Sequence, residues 1–185
     1  MRKLILAAAL SLAAVSAGAV TLAGVNIPDH TTVNNQNLVL NGVGLRKKLF
    51  IKVYTGALYL TAKQNNAAAL MAADAPRRMV MHFVFDVGAG KIAEAWEEGL
   101  EDNTPNASAE VKTAFKTLSS WMEDIEDGKE IVLTYVPGTG TTVEVNGKVK
   151  GTLAGKAVAD AILNTWIGPN PGPGDDFKKA VLGVK

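Results

Sequence analysis

The chain has 185 residues, of which 48% are hydrophobic and 20% charged, with a formal net charge of +1. That is long enough for one domain with its own core, and so near-neutral a balance excludes the basic footprint of a nucleic-acid-binding protein. There is no cysteine and there are two histidines, which excludes disulfide bracing and a thiol nucleophile; no metal and no cofactor are expected.

At the N-terminus Arg2 and Lys3 precede the apolar run LILAAALSLAAV and the small residues SAGA. This is the three-part pattern of a secretory signal peptide, and the run is shorter than the ~20 apolar residues a membrane span needs. Cleavage is expected after Ala19 in preference to Ala17. Residues 1–19 are then a leader and residues 20–185 one domain. Losing Arg2 and Lys3 turns the net charge from +1 to −1. With no cysteine to carry a lipid, the mature protein is expected in the periplasm or outside the cell, without a stable membrane anchor.

VTLAGVNIPDH reads as a short strand and a turn at Pro28-Asp29, and LVLNGVGLR as a second strand loosened by Gly42 and Gly44. KLFIKVYTGALYL reads as one long strand whose two faces are both largely apolar, so both are covered or one faces an apolar cavity. NNAAALMAAD is a short helix ending before Pro76. RRMVMHFVFD alternates as a strand, with Met79, Met81, Phe83 and Phe85 on one side.

Residues 89–103 change to a helical period, with Ile92, Ala95, Trp96, Gly99 and Leu100 in one stripe. Pro105 ends that helix, and Ser108 caps another carrying Val111, Phe115, Leu118, Met122 and Ile125. EIVLTYV, TTVEV and KVKGTL are three strands, the last two joined by Asn146-Gly147, a strong two-residue hairpin signal. A helix over 154–166 and a short one in DFKKAVL complete the chain. The order is β-β-β-α-β-α-α-β-β-β-α-α, which predicts an α+β domain with an antiparallel sheet and helices segregated to one face.

Few residues on this framework suggest chemistry. His82 sits within an alternating strand and reads as a structural histidine. GVG and GTG are not followed by helices and so do not cradle phosphate. The clusters EEGLED and EDIEDGKE read as solvated helix faces and ends. Two polar residues on apolar elements remain. Thr165 lies on the buried stripe of its helix, where a hydroxyl commonly bonds back to a carbonyl one turn earlier. Arg46 enters a strand, where it either snorkels to the surface or anchors a ligand in a cleft.

NGVGLRKKLFIKVYTGALYL, with its Gly-x-Gly-x-Arg followed by an aromatic–Lys strand ending in Tyr-Leu, resembles a signature of the chalcone isomerase family. AGKAVADAILNTWIG resembles the same family's late helix, where a threonine precedes Ile-Gly. The likeness covers roughly residues 20–182 and is greatest to bacterial secreted chalcone isomerase-like proteins. It implies an open-faced β-sandwich: a large antiparallel sheet, helices packed on one face, and a ligand cleft between them. It also implies that Arg46 stands at the family's key arginine, which polarises a carbonyl in the isomerases and grips a carboxylate in the fatty-acid binders, and that Thr165 stands at a substrate-contacting threonine.

The departures from the isomerases are specific. Tyr54 occupies the place of their polarising threonine. Ile92 and Gly99 fall where they carry a tyrosine and an asparagine, so the proton relay is missing. Tyr54 beside Arg46 resembles the binding members instead. The expected function is non-catalytic binding of a small amphipathic organic acid, such as a fatty acid, at Arg46, Tyr54 and Thr165. Candidate walls are Leu49, Phe50, Ile51, Leu58, Met79, Met81 and Phe83. An isomerase closing a phenol onto an enone, with Arg46 as its charge stabiliser, is the alternative, and an interaction scaffold with a filled cleft is a second.

Overall fold

The computed structural model describes residues 18–184. The expected leader lies outside them except for its last two residues. Ala19, the residue before the preferred cleavage point, opens the first strand.

Five strands, not three, precede the first helix: β1 (Ala19–Leu22), β2 (Val25–Pro28), β3 (His30–Val33), β4 (Gln36–Lys48) and β5 (Ile51–Leu60). VTLAGVNIPDH folds back on itself at Ala23-Gly24 to give β1 and β2, and only Asp29 separates β2 from β3. Then come α1 (Ala67–Ala72), β6 (Arg77–Phe83), α2 (Ala89–Asn103), α3 (Ala109–Ser120), β7 (Glu130–Val136), β8 (Gly140–Val145), β9 (Lys148–Leu153), α4 (Lys156–Ile167) and α5 (Asp175–Val181). Strands β3 to β9 form one seven-stranded antiparallel sheet in sequence order, and β1–β2 is a separate hairpin. The expected α+β architecture, with the long helices packed on one face of the sheet, is the one observed.

The local signals act as their chemistry dictates. The Ser108 side chain accepts from Val111 N at the start of α3, and Asn66 caps α1 through Ala69 N. Asn146 and Gly147 both take positive φ, 53° and 75°, in the β8–β9 turn.

β5 is covered on both sides, as its apolar pattern requires. Tyr54, Leu58 and Leu60 face the main core, with Met79, Met81, Phe83, Trp96, Phe115, Ile131 and Trp166. Ala57 and Tyr59 face a smaller cluster with Leu38, Leu40 and Ile27, roofed by the β1–β2 hairpin. Tyr59 donates to Pro28 O at 2.8 Å and ties that roof down.

The reading of Leu49 and Phe50 as strand residues is overturned. They form the two-residue turn between β4 and β5 and are 83% and 92% exposed. Apolar character alone could not distinguish a strand from a solvated turn at that point.

The NGVGLR segment owes its glycines to α5. A Cβ on Gly42 would strike the backbone carbonyl of Ala180, and one on Gly44 would lie 2.6 Å from the Phe177 ring. Gly56, paired with Gly44 across the strands, clears the same ring. Asn41, at a register shift in β4, donates to Val181 O at 2.8 Å. Close backbone approach is the service glycine gives here. It seats Phe177 edge-on against Tyr54, ring centroids 5.8 Å apart.

Candidate functional site

A cleft of about 770 Å³ opens between the β4–β5 end of the sheet, α2, and the loop 169–174 that follows α4. This lies within the usual range for small-molecule sites. Its apolar walls include Ile51, Val53, Met81, Phe83, Ile92 and Trp96. Leu49, Phe50, Leu58 and Met79, also expected as walls, do not line it: the first two are at the turn, and the others are buried in the core.

Arg46, Tyr54 and Thr165 all border this one cleft. Arg46 and Tyr54 are directly opposed across the β4–β5 ladder, so their side chains leave the same face of the sheet. Arg46 is half-buried, and its Nη1 donates to Gly172 O of the loop. The guanidinium therefore holds a cleft wall in place and still has other N–H groups to offer.

Tyr54 is buried. Its oxygen accepts from Trp166 Nε1 at 3.2 Å, and its ring packs on Phe83 at 5.4 Å between centroids. Burial pushes its ionisation up to about 12, against the opposing pull of the Trp166 bond and the Arg46 charge. At neutral pH it is a phenol with a proton to give. Among the described residues it donates that proton to none. Trp166 itself meets Trp96 edge-on at 5.3 Å, and Trp96 Nε1 contacts Met122 Sδ at 3.3 Å.

Thr165 is placed differently. Its hydroxyl donates to Ile162 O at 2.8 Å, the backbone bond common to buried helical threonines. Its methyl carbon lies where a Cβ on Gly99 would come within 2.9 Å. It borders the cleft with its proton already engaged, and it sets the spacing between α2 and α4.

Several participants were not found in the sequence. Trp166 lies on an apolar helix, and nothing local betrays its indole bond to a residue 112 positions away. The loop PNPGPG has the composition of a plain turn, yet it is a wall of the cleft. Asn103 fixes it: its amide nitrogen donates to Asn170 O at 2.8 Å and its amide oxygen accepts from Asn170 N at 2.9 Å. The acidic face of α2 borders the cleft through Glu94, Glu98 and Asp102. Glu94 and Lys91 form an exposed ion pair at 2.5 Å.

His82 Nδ1 lies 2.9 Å from Glu130 Oε1, a partnered histidine on the far side of the sheet from the cleft. No metal-binding cluster occurs among the described residues. An interaction scaffold would have a filled cleft; this one is open.

The family model described as chalcone isomerase-like matches residues 19–183. No curated protein matches in sequence. Among solved structures, a fatty-acid binding protein from Arabidopsis thaliana is similar, with a TM-score of 0.67 and 21% identity, covering 89% of this chain and 96% of that one. At that identity the likeness is one of fold.

Proposed function

The chain belongs to the chalcone isomerase-like family, and from that premise we propose that it binds, without catalysis, a small amphipathic organic acid of the fatty-acid type. One observation carries this reading: Arg46 and Tyr54 stand opposite each other on adjacent strands at a cleft whose apolar walls include Ile51, Val53, Met81, Phe83, Ile92 and Trp96. A carboxylate is acceptor-only and takes charge-assisted bonds from a guanidinium and a bond from a neutral phenol. The tail is held by burial, at about 25 cal/mol per Å² of apolar surface. The similar Arabidopsis structure, a fatty-acid binding protein, supports the same ligand class.

Catalysis has less to work with. On α2, Ile92 and Gly99, at the places where the resemblance puts the isomerases' tyrosine and asparagine, border the cleft and carry no side-chain proton donor or acceptor, although the α2 carboxylates Glu94, Glu98 and Asp102 border it too. An Arg46 guanidinium alone stabilises charge but moves no proton at neutral pH. Native mass spectrometry of the purified protein, with titration of C12 to C18 acids, tests the reading. Co-purified or added acid bound one to one supports it. A chain that takes up none of them overturns it, and cyclisation of a chalcone far above its uncatalysed rate would make the protein an enzyme.

The same reading has the chain exported, on the strength of the pattern from Arg2 to Ala19. Sequencing the N-terminus of protein recovered from a periplasmic extract or the medium checks this. An intact Met1 overturns it.

A further inference from the structure

Four hairpins in this fold close through two-residue turns. Three use Ala23-Gly24, Asn34-Asn35 and Asn146-Gly147, with positive φ at both residues. The fourth, between β4 and β5, uses Leu49-Phe50. Leu49 has φ 55°, a left-handed conformation in which leucine is uncommon and glycine or asparagine is at ease. Turn geometry therefore does not account for a leucine there, and neither does packing. Leu49 and Phe50 stand in solvent, and Ile51 beside them is 43% exposed.

A single exposed apolar side chain is ordinary. Three in succession at a protruding tip are not, and here they are ringed by the exposed amines of Lys47, Lys48 and Lys52. Apolar side chains projecting past a collar of lysines match a surface that is negative outside and apolar beneath. A folded protein partner fits less well. A specific interface takes about 800 Å² from each side, far more than a two-residue tip offers, whereas a bilayer envelops a tip from all sides.

We propose that the β4–β5 hairpin tip docks reversibly on an anionic lipid surface. Leu49 and Phe50 enter below the headgroups, and Lys47, Lys48 and Lys52 meet the lipid phosphates. Lys48 and Ile51 also border the cleft, as does the half-exposed Phe85, so docking turns the mouth of the cleft toward the lipid. The docking does not rest on the identity of the cleft ligand, and its assay does not read the cleft.

The test is sedimentation of the protein, as recovered from the soluble fraction of expressing cells, with vesicles of phosphatidylcholine alone or mixed with phosphatidylglycerol. The parent should bind the mixed vesicles, less so as salt is raised, and should leave pure phosphatidylcholine largely unbound. Phe50→Ser should weaken binding about tenfold or more, and so should the double variant Lys47→Glu/Lys52→Glu. These residues are exposed, and unchanged thermal melts will show that the fold survives. No binding to the mixed vesicles, or equal binding by parent and Phe50→Ser, overturns the proposal. So does a dimer of the parent that Phe50→Ser dissociates, since the tip would then be a contact between copies of the chain.

Discussion

The indole N–H of Trp166 donates to the phenolic oxygen of Tyr54 at 3.2 Å, joining α4 to β5 inside the core. The bond leaves the phenol its own proton while fixing the oxygen in place. Tyr54→Phe should therefore do two things. It strands a buried indole donor, at a cost of about 1–3 kcal/mol in a urea melt. On the proposed carboxylate-binding role of the cleft, it also removes one donor and should lower affinity for a carboxylate. A Tyr54→Phe variant with parental stability would show that the bond contributes nothing.

Arg46→Met keeps much of the apolar stem and removes the charge. Affinity for a fatty acid should fall about ten- to a hundredfold, about 1.4–2.8 kcal/mol. Arg46→Lys should recover only part, because an ammonium lacks the planar fork. Stability should change by no more than about 1 kcal/mol, since Arg46 is half-buried and loses only its bond to Gly172 O. Unfolding of Arg46→Met without ligand would make Arg46 a structural residue.

Thr165→Val separates the two uses of that side chain. Because the hydroxyl proton is held by Ile162 O, carboxylate affinity should change by less than about twofold, within the effect of a neutral bond that is not made. A tenfold loss in an isothermal titration would show that the hydroxyl turns to the ligand.

A second arginine is more deeply buried than Arg46. Arg77 pairs with Asp160 at 2.6 Å, Lys156 meets the other oxygen of that carboxylate at 2.5 Å, and the guanidinium lies 4.6 Å from the centre of the Tyr135 ring. Tyr135 in turn donates to Asp74 at 2.5 Å. Asp160→Asn leaves the buried guanidinium without its counter-charge and should cost about 3–5 kcal/mol. Chemical denaturation of the variant measures it, and ligand affinity at the distant cleft should be little changed.

All three tyrosines of the chain ionise late. Burial pushes Tyr54, Tyr59 and Tyr135 each up to about 12, helped at Tyr59 by the Glu130 charge and at Tyr135 by the bond to Asp74. A phenol with a raised ionisation favours folding below its ordinary value of about 10, and that contribution is lost as the pH climbs through about 12. Absorbance at 295 nm should therefore stay flat through pH 10 while the protein is folded. Phenolate should appear together with the loss of the circular dichroism signal. One tyrosine titrating near 10 in the folded protein would contradict this.

The fold was largely legible because its signals are local. Ser108, Asn146-Gly147 and the stripe of α2 each act within a few residues, and the apolar faces of β5 required cover on both sides. The tip of the long hairpin reads as strand in the sequence because Leu49 and Phe50 carry the composition of a strand without its burial. That Arg46 and Tyr54 border one cleft was within reach of the sequence, because they are eight residues apart along a hairpin and pair across it. Trp166, Asn103 and the 169–174 loop were not, because their roles are contacts between elements far apart in the chain. Nor did the sequence distinguish Arg77, which closes a buried network, from Arg46, which borders a cleft.

The clasp between Asn103 and residue 170 bears on how quickly a ligand could leave. The side-chain amide trades two hydrogen bonds with the Asn170 backbone, Asn170 Nδ2 donates to Asp102 O at 3.0 Å, and Arg46 holds Gly172 from the opposite side. Pro169, Pro171 and Pro173 stiffen what lies between. A rim braced this way has little ordering entropy left to lose on association. It is also a poor gate, because opening it means breaking several bonds at once. Among the described residues, Lys48 and Ile51 of the β4–β5 hairpin and Gly88 and Lys91 at the start of α2 border the cleft without such a clasp, and the residence time of a bound molecule should follow the motion of those segments.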